Sequence, residues 1–166
     1  MFNISDTIVY PNQGIGTIVS IQEEPFLGEL QTYYKIKFRN SSLEIMLPKK
    51  RLENSNIRLL SNSEDLDDAF DHIDDFAEDL CEMNECNLKE RMLQNSLKLK
   101  SSTIKDYIEV ILNLTEVQTH HHLNSSEKQM LTSTTSSLID EISLAKDITT
   151  ENAADLLDDL LSKVKQ

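Results

Sequence analysis

The sequence predicts an α+β protein in which a small SH3- or Tudor-like β-barrel is followed by a compact all-α domain of about five helices. In residues 1–60 apolar and polar residues alternate in short β-branched runs, and all three glycines of the chain fall there. From residue 63 onward the apolar residues recur every three or four positions instead. We therefore predict two domains, one of residues 1–60 and one of residues 61–166.

The first domain contains four or five short runs with strand character. The clearest of them cover residues 6–10, 14–21, 32–38 and 43–47. Turn residues such as Pro25 and Gly28 separate the runs, and Pro48 stops the last one. Several short strands in so few residues are typical of a small, strongly bent barrel. Its predicted core consists of Tyr10, Tyr34, Ile36 and Phe38.

Two glycines stand close together at the start of the second run, in the pattern Gly14-x-Gly16. A phosphate-binding loop would need a helix directly after the glycines. A β-branched strand follows here, so we predict a bend or a β-bulge at this position.

The second domain begins with an acidic helix. Its N-cap is predicted to be Ser63, and its apolar stripe consists of Leu66, Phe70, Ile73, Phe76 and Leu80. A second helix is predicted from about residue 88 to residue 99, with Leu88, Met92 and Leu93 buried.

Three further helices complete the predicted domain. The third carries an apolar stripe over residues 104–112. The fourth starts with a capping box between Asn124 and Glu127, or with Ser125 as its cap, and the fifth is capped by Thr149 or Thr150.

The net charge of −13 is concentrated in one segment. Residues 61–88 contain eleven acidic residues and no lysine or arginine, whereas residues 1–60 contain seven basic and six acidic residues. Such a segment is typical of a solvated amphipathic helix. The alternative is a mimic of nucleic-acid charge, or a guard that keeps the protein off DNA.

No combination of residues predicts an enzyme or a metal site. Cys81 and Cys86 cannot complete a tetrahedral zinc site alone, and the histidines at 120–122 cannot share one helix face. We interpret the cysteines as free thiols and the histidines as part of a solvated loop, and we predict no catalytic residue, metal or cofactor. The chain has no apolar stretch long enough to span a bilayer and no signal peptide, so we expect a cytoplasmic protein.

Two motifs carry a resemblance to a known family. The opening pattern Phe2-x-x-x-Asp6-Thr7-Ile8-Val9-Tyr10-Pro11-x-x-Gly14-x-Gly16 resembles the start of CarD/CdnL proteins and of the polymerase-interaction domain of the transcription-repair coupling factor. Pro48 and the pair Ile57-Arg58 fall where that domain ends. The pattern Leu123-x-x-Ser126-Glu127-Lys128-x-Met130-Leu131, followed by Leu138-Ile139-x-Glu141-Ile142, is similar to the C-terminal helical segment of the same family.

The resemblance implies a bacterial transcription regulator whose barrel binds the RNA polymerase β subunit by strand pairing. Its helical domain would meet promoter DNA within the polymerase complex and modulate the stability of the open complex. The candidate polymerase-binding residues are Glu24, Glu44, Met46, Leu47 and Pro48. The candidate DNA-binding residues, in the segment 88–131, are Leu88, Lys89, Arg91 and Lys128.

This sequence departs from the family pattern at several of these positions. Leu88 stands where the family has a tryptophan wedge, and Glu90 stands where a basic residue is usual. Glu24 and Met46 replace arginines that face the polymerase. Two alternatives therefore stay open: a polymerase-binding competitor with little or no DNA contact, and an adaptor for an unrelated protein.

Overall fold

The computed structural model describes residues 1–76 and 87–164. The chain divides into two compact units, Met1–Leu60 and Ser61–Gln166. The first contains an antiparallel sheet and the second is helical, which confirms the predicted α+β class.

The first unit is a five-stranded antiparallel sheet with one short helix. Its elements are β1 (Thr7–Tyr10), β2 (Gly14–Phe26), β3 (Glu29–Phe38), β4 (Glu44–Pro48), α1 (Lys49–Asn54) and β5 (Arg58–Leu59). The strand order is β4-β3-β2-β1-β5, so β4 and β5 form the two edges.

Alternation along β3 builds the core of the sheet, as the sequence predicts. Tyr34, Ile36 and Phe38 are buried and pack with Ile8. Tyr10 is half-buried, and its ring centroid lies 6.0 Å from that of Phe38. The core of the first unit is therefore aliphatic and aromatic, and it lies on one face of the sheet.

Of the two predicted alternatives at the close glycine pair, the structure has the bend and not the bulge. Gly14 has φ +95 and supplies the bend at the start of β2, but Gly16 stays in regular register opposite Ile8. A Cβ atom on Gly16 would lie 2.7 Å from Cγ2 of Ile36, so close packing requires this glycine. The register shift occurs later, between Ile18 and Ser20.

The hairpin formed by β2 and β3 is longer than the predicted strands. Pro25 pairs with Leu30 and Phe26 with Glu29, so Leu27 and Gly28 alone form the loop. Both have positive φ, 52° and 87°, as a type I′ turn requires. The predicted turn at Pro25 is therefore corrected, because Pro25 lies within β2.

The second unit contains five α-helices and a short 3₁₀ turn in its described residues. They are α2 (Ser63–Asp71), the 3₁₀ turn (Ile73–Phe76), α3 (Leu88–Ser101), α4 (Ile104–His120), α5 (Ser125–Lys146) and α6 (Thr150–Val164). Among the described residues, no helix is long and apolar enough to cross a membrane.

Side-chain caps define the helix starts. Asn62, rather than the predicted Ser63, caps α2 by accepting from the backbone N–H of Asp65 at 2.8 Å. The predicted first helix ends at Asp71, and a 3₁₀ turn over Ile73–Phe76 replaces its predicted continuation. Leu80, Cys81 and Cys86 lie outside the described residues. The predicted capping box of Asn124 with Glu127 is confirmed at the start of α5.

The helical core is centred on α4, which contacts α2, α3 and α5. Ten of its residues are buried, so it is covered on nearly all sides. The helix α3 is different, and the prediction that it buries Leu88 and Leu93 is wrong. Both leucines are exposed, and the buried residues of α3 are Asn95 and Leu99.

Candidate functional site

The edge strand β4 directs part of its backbone away from the sheet. The carbonyl oxygen of Leu43 accepts from the backbone N–H of Phe38 at 3.1 Å. Antiparallel pairs alternate between hydrogen-bonded and non-hydrogen-bonded. Because Phe38 and Leu43 form a hydrogen-bonded pair, the pair of Ile36 with Ile45, two positions along, is hydrogen-bonded as well. The backbone groups of Ile45 therefore face β3, whereas those of Glu44 and Met46 face outward.

The side chains of β4 alternate between the two faces of the sheet. Ile45 packs against the core, whereas Glu44 and Met46 are exposed on the other face. The Lys35 ammonium lies 2.7 Å from the Glu44 carboxylate. This hydrogen bond and the positive charge of Lys35 hold the pKa of Glu44 below its usual value. The outer strand thus presents an ionised carboxylate, a thioether and backbone groups that face away from β3.

Of the five predicted polymerase-binding residues, three lie on this edge: Glu44, Met46 and Pro48. The side chain of Leu47 is buried in the core, and its backbone groups face β3 by the same alternation. Neither the side chain nor the backbone of Leu47 can therefore reach a partner at the edge. Glu24 lies on β2, paired with Gln31, with β3 between it and the line of β4.

A groove continues the line of β4 past its end. The pairing of β3 with β4 stops at Tyr33, so residues 29–32 of β3 extend beyond the edge strand. These residues, together with Pro48, Lys49 and Lys50, line a groove of about 230 Å³. An extended segment paired with β4 could therefore continue along the hairpin.

In the helical unit, a buried ion pair joins the first turns of α3 and α5. Nε and Nη2 of Arg91 donate to Oε1 of Glu127 at 2.9 and 2.6 Å. The two side chains are only 11% and 2% exposed. The other Glu127 oxygen accepts from the backbone N–H of Asn124 at 3.0 Å, which completes the capping box. One carboxylate thus caps α5 and holds α3 against it.

This ion pair brings the predicted DNA-binding residues together. Leu88 and Lys89 lie in the first turn of α3, three and two residues before Arg91, and Lys128 directly follows Glu127. All three are exposed. Arg91 itself is largely buried in the pair with Glu127, which favours a structural role for it over direct contact with DNA.

Two more polar pairs lie along the same face of α3. Asn95 is fully buried, and its Oδ1 accepts from Nδ2 of Asn113 at 3.0 Å. Lys98 Nζ lies 2.5 Å from the Glu109 carboxylate, which is also buried. Arg91, Asn95 and Lys98 follow one another at spacings of four and three residues. The face of α3 that points inward is therefore mostly polar.

This inward face is not visible in the apolar pattern of the sequence, because its members are polar. Glu127 was noticed only as a capping residue, and Glu109 and Asn113 lie within the apolar stripe of α4. The one available signal was the helical spacing of Arg91, Asn95 and Lys98. Their partners lie 36, 18 and 11 residues away, beyond the range of local patterns.

The histidines at 120–122 are exposed at the end of α4. Nε2 of His120 lies 3.1 Å from the Glu116 carboxylate. In the residues that the structure describes, no cluster of histidine, cysteine, aspartate or glutamate has the arrangement of a metal site.

Comparison with known proteins agrees with the two-unit architecture. The model of the CarD-like/TRCF RID domain matches residues 2–61, and that of the CarD C-terminal domain matches residues 73–158. A Bacillus subtilis (strain 168) protein named "Putative transcription factor YdeB" is 35% identical over 149 residues, which cover 90% of this chain and 95% of that protein.

These matches define the class as a transcription protein with a RID-type first unit and a CarD-type second unit. The chain belongs to the CarD family, as the two sequence motifs predict. Its role is therefore related to transcription.

Proposed function

We propose that this protein binds the β subunit of bacterial RNA polymerase through the outer edge of β4 and modulates the stability of promoter open complexes through its helical unit. The observation that carries the proposal is the outward-facing backbone of Glu44 and Met46, on an edge strand of a unit that matches the RID domain.

An unpaired edge recruits a partner strand because main-chain hydrogen bonds form there without any rearrangement of the sheet. Affinity then depends on the backbone, and side chains beside the added strand tune the choice of partner. Met46 and Glu44 would provide that tuning here. Pro48 has no N–H group, so ordinary pairing at the edge would stop there.

The DNA contact in this proposal is made by Leu88, Lys89 and Lys128. Leu88 begins α3, so it can be presented end-on as an apolar wedge between base steps. Two lysines release few counterions, so the contact would be weak in isolation. Tethering to the polymerase supplies a high local concentration of DNA. A protein that binds the melted promoter better than the closed one shifts that equilibrium by the difference in affinity.

The competing function is a polymerase-binding competitor that makes little DNA contact. The acidic side chains of α2 and the following 3₁₀ turn favour it, since carboxylates repel phosphate. Their exposed members are Glu64, Asp65, Asp67, Asp68, Asp71, Asp74 and Asp75.

Proline at position 46 tests the polymerase contact. Met46→Pro removes the outward N–H group, and proline is tolerated on an edge strand where that group faces solvent. We expect the variant to keep its thermal transition within a few degrees and to bind core RNA polymerase about tenfold more weakly or worse. Met46→Ala keeps the N–H group and is the matched control, with an expected change of less than about threefold. Equal binding by the wild type and a folded Met46→Pro variant would contradict strand addition at this edge.

Charge reversal distinguishes the two functions. Lys89→Glu with Lys128→Glu should shorten the lifetime of a promoter open complex by about tenfold at low salt, when each protein is present at a concentration that saturates core polymerase. Lys163→Glu, an exposed lysine at the end of α6, is the control. An unchanged lifetime in the double variant would favour the competitor.

A further inference from the structure

The solvent-facing side of α3 carries a compact mixture of leucine and lysine. Lys89, Leu93, Leu97 and Lys100 fall within an arc of about 80° on an ideal helix, and we call this set the α3 outer face. Leu93 and Leu97 are 61% and 54% exposed, and they are one helical turn apart. Lys89 and Lys100 lie beyond them at the two ends, and Glu90 borders the face on one side.

The exposure of these leucines is fixed by the opposite side of the helix. There Arg91 is paired with Glu127, Asn95 with Asn113 and Lys98 with Glu109. Rolling α3 to bury the leucines would separate all three pairs and leave the buried side chains of Glu127, Asn113 and Glu109 without these partners, which is strongly unfavourable. The helix therefore exposes its leucines to solvent because its polar side is the one that is buried and paired.

We propose that the α3 outer face binds a protein surface of RNA polymerase that is apolar in its middle and carries carboxylates at its margin. This contact rests on the proposed function, because it acts as a second attachment to the polymerase in addition to strand addition at β4. Lys89, exposed at the N-terminal end of the face, supplies charge complementarity to those carboxylates.

The shape of the face disfavours DNA as its occupant. An α-helix with side chains is about 10–12 Å wide, whereas the minor groove is about 6 Å wide, so leucines in the middle of a helix cannot enter it as Leu88 can. The major groove admits a helix, but leucine offers no donor or acceptor to the base edges. A protein surface can match the leucines by simple burial.

The size of the face favours a tethered partner over a free one. A stable independent interface uses about 20–30 residues on each side, and the α3 outer face offers two leucines and two lysines. Such a contact is effective when another attachment already raises the local concentration. The same limit disfavours a dimer of this chain held by α3 alone.

The test measures binding of the full chain to purified core RNA polymerase from the same bacterium, with no DNA present. We expect the double variant Leu93→Ser/Leu97→Ser to bind about tenfold more weakly. Leu59→Ser is the control, because Leu59 is also 54% exposed but lies on β5, the edge opposite β4. Circular dichroism checks the fold, and Leu97→Gln, which keeps helix propensity and size, is the substitute if the double variant unfolds.

Wild-type affinity in the folded double variant overturns the inference and leaves strand addition intact. If the double variant then loses affinity only when promoter DNA is added, the occupant is DNA; if sedimentation shows a wild-type dimer that the variant lacks, it is a second copy of the chain. Both results contradict a polymerase contact. Failure of the wild type to bind polymerase overturns the proposed function and this inference together.

Discussion

The sheet and the helix α3 bury opposite kinds of side chain, and they expose opposite kinds of surface. In the sheet, Tyr34, Ile36 and Phe38 are buried and the open surface is backbone on β4. In α3, Arg91 and Asn95 are buried and the open surface is leucine. Apolar packing tolerates small rotations, whereas a hydrogen-bonded pair holds one orientation. The difference teaches that the polar pairs of α3 specify which face the helix presents.

Breaking the central ion pair should have the largest effect. Glu127→Ala leaves Arg91 buried without its carboxylate and removes the capping box of α5. We expect the free energy of unfolding to fall by about 3–5 kcal/mol, measured by urea denaturation. A loss below about 1 kcal/mol would show that the pair is solvated and does not orient α3.

Replacing both partners sharpens the same point. Arg91→Met with Glu127→Leu restores packing without charge, so stability should return to within about 2 kcal/mol of the wild type. If the pair specifies orientation, the amide hydrogens of α3 should nevertheless exchange faster than in the wild type. Unchanged exchange would assign the orientation to the remaining pairs of Asn95 and Lys98.

A substitution in the sheet should have the smallest effect on stability. Gly16→Ala places a Cβ atom 2.7 Å from Ile36 Cγ2, in the apolar core, so Ile36 must shift. We expect a loss of about 1–3 kcal/mol in the free energy of unfolding. The same substitution should cost less in an Ile36→Leu background, because leucine has no Cγ2 atom on its Cβ, and an equal loss in both backgrounds would locate the clash elsewhere.

The buried face of the sheet could be predicted from the sequence, whereas the buried face of α3 could not. Alternation along β3 identified its buried residues because every second side chain of a strand shares a face. The helix α3 was oriented wrongly because Leu88 and Leu93 were assumed to be inside. That error could not be avoided from local patterns, since Glu127 and Asn113 reach α3 only through the fold. The packing requirement for Gly16 was likewise beyond local patterns, because it comes from Ile36 on another strand.

The candidate site was predicted unevenly for related reasons. The strand that carries Glu44 and Met46 was predicted from the run at residues 43–47 that Pro48 stops, although Leu47 belongs to the core. The proposed DNA contacts Leu88, Lys89 and Lys128 came from the family motif, and the structure brings the first turns that carry them together through the ion pair of Arg91. Nothing in the sequence separated Arg91 from the exposed lysines, because burial depends on the position of Glu127.

Hydrogen exchange of the polymerase complex tests the central claim most directly. The amides of Glu44 and Met46 face outward on β4, so their exchange in the free protein should be faster than that of Ile45, which pairs with β3. On binding core polymerase, Glu44 and Met46 should become protected while Leu59, on the opposite edge β5, stays unchanged. Unaltered exchange at Glu44 and Met46 in a complex that demonstrably forms would contradict strand addition at this edge.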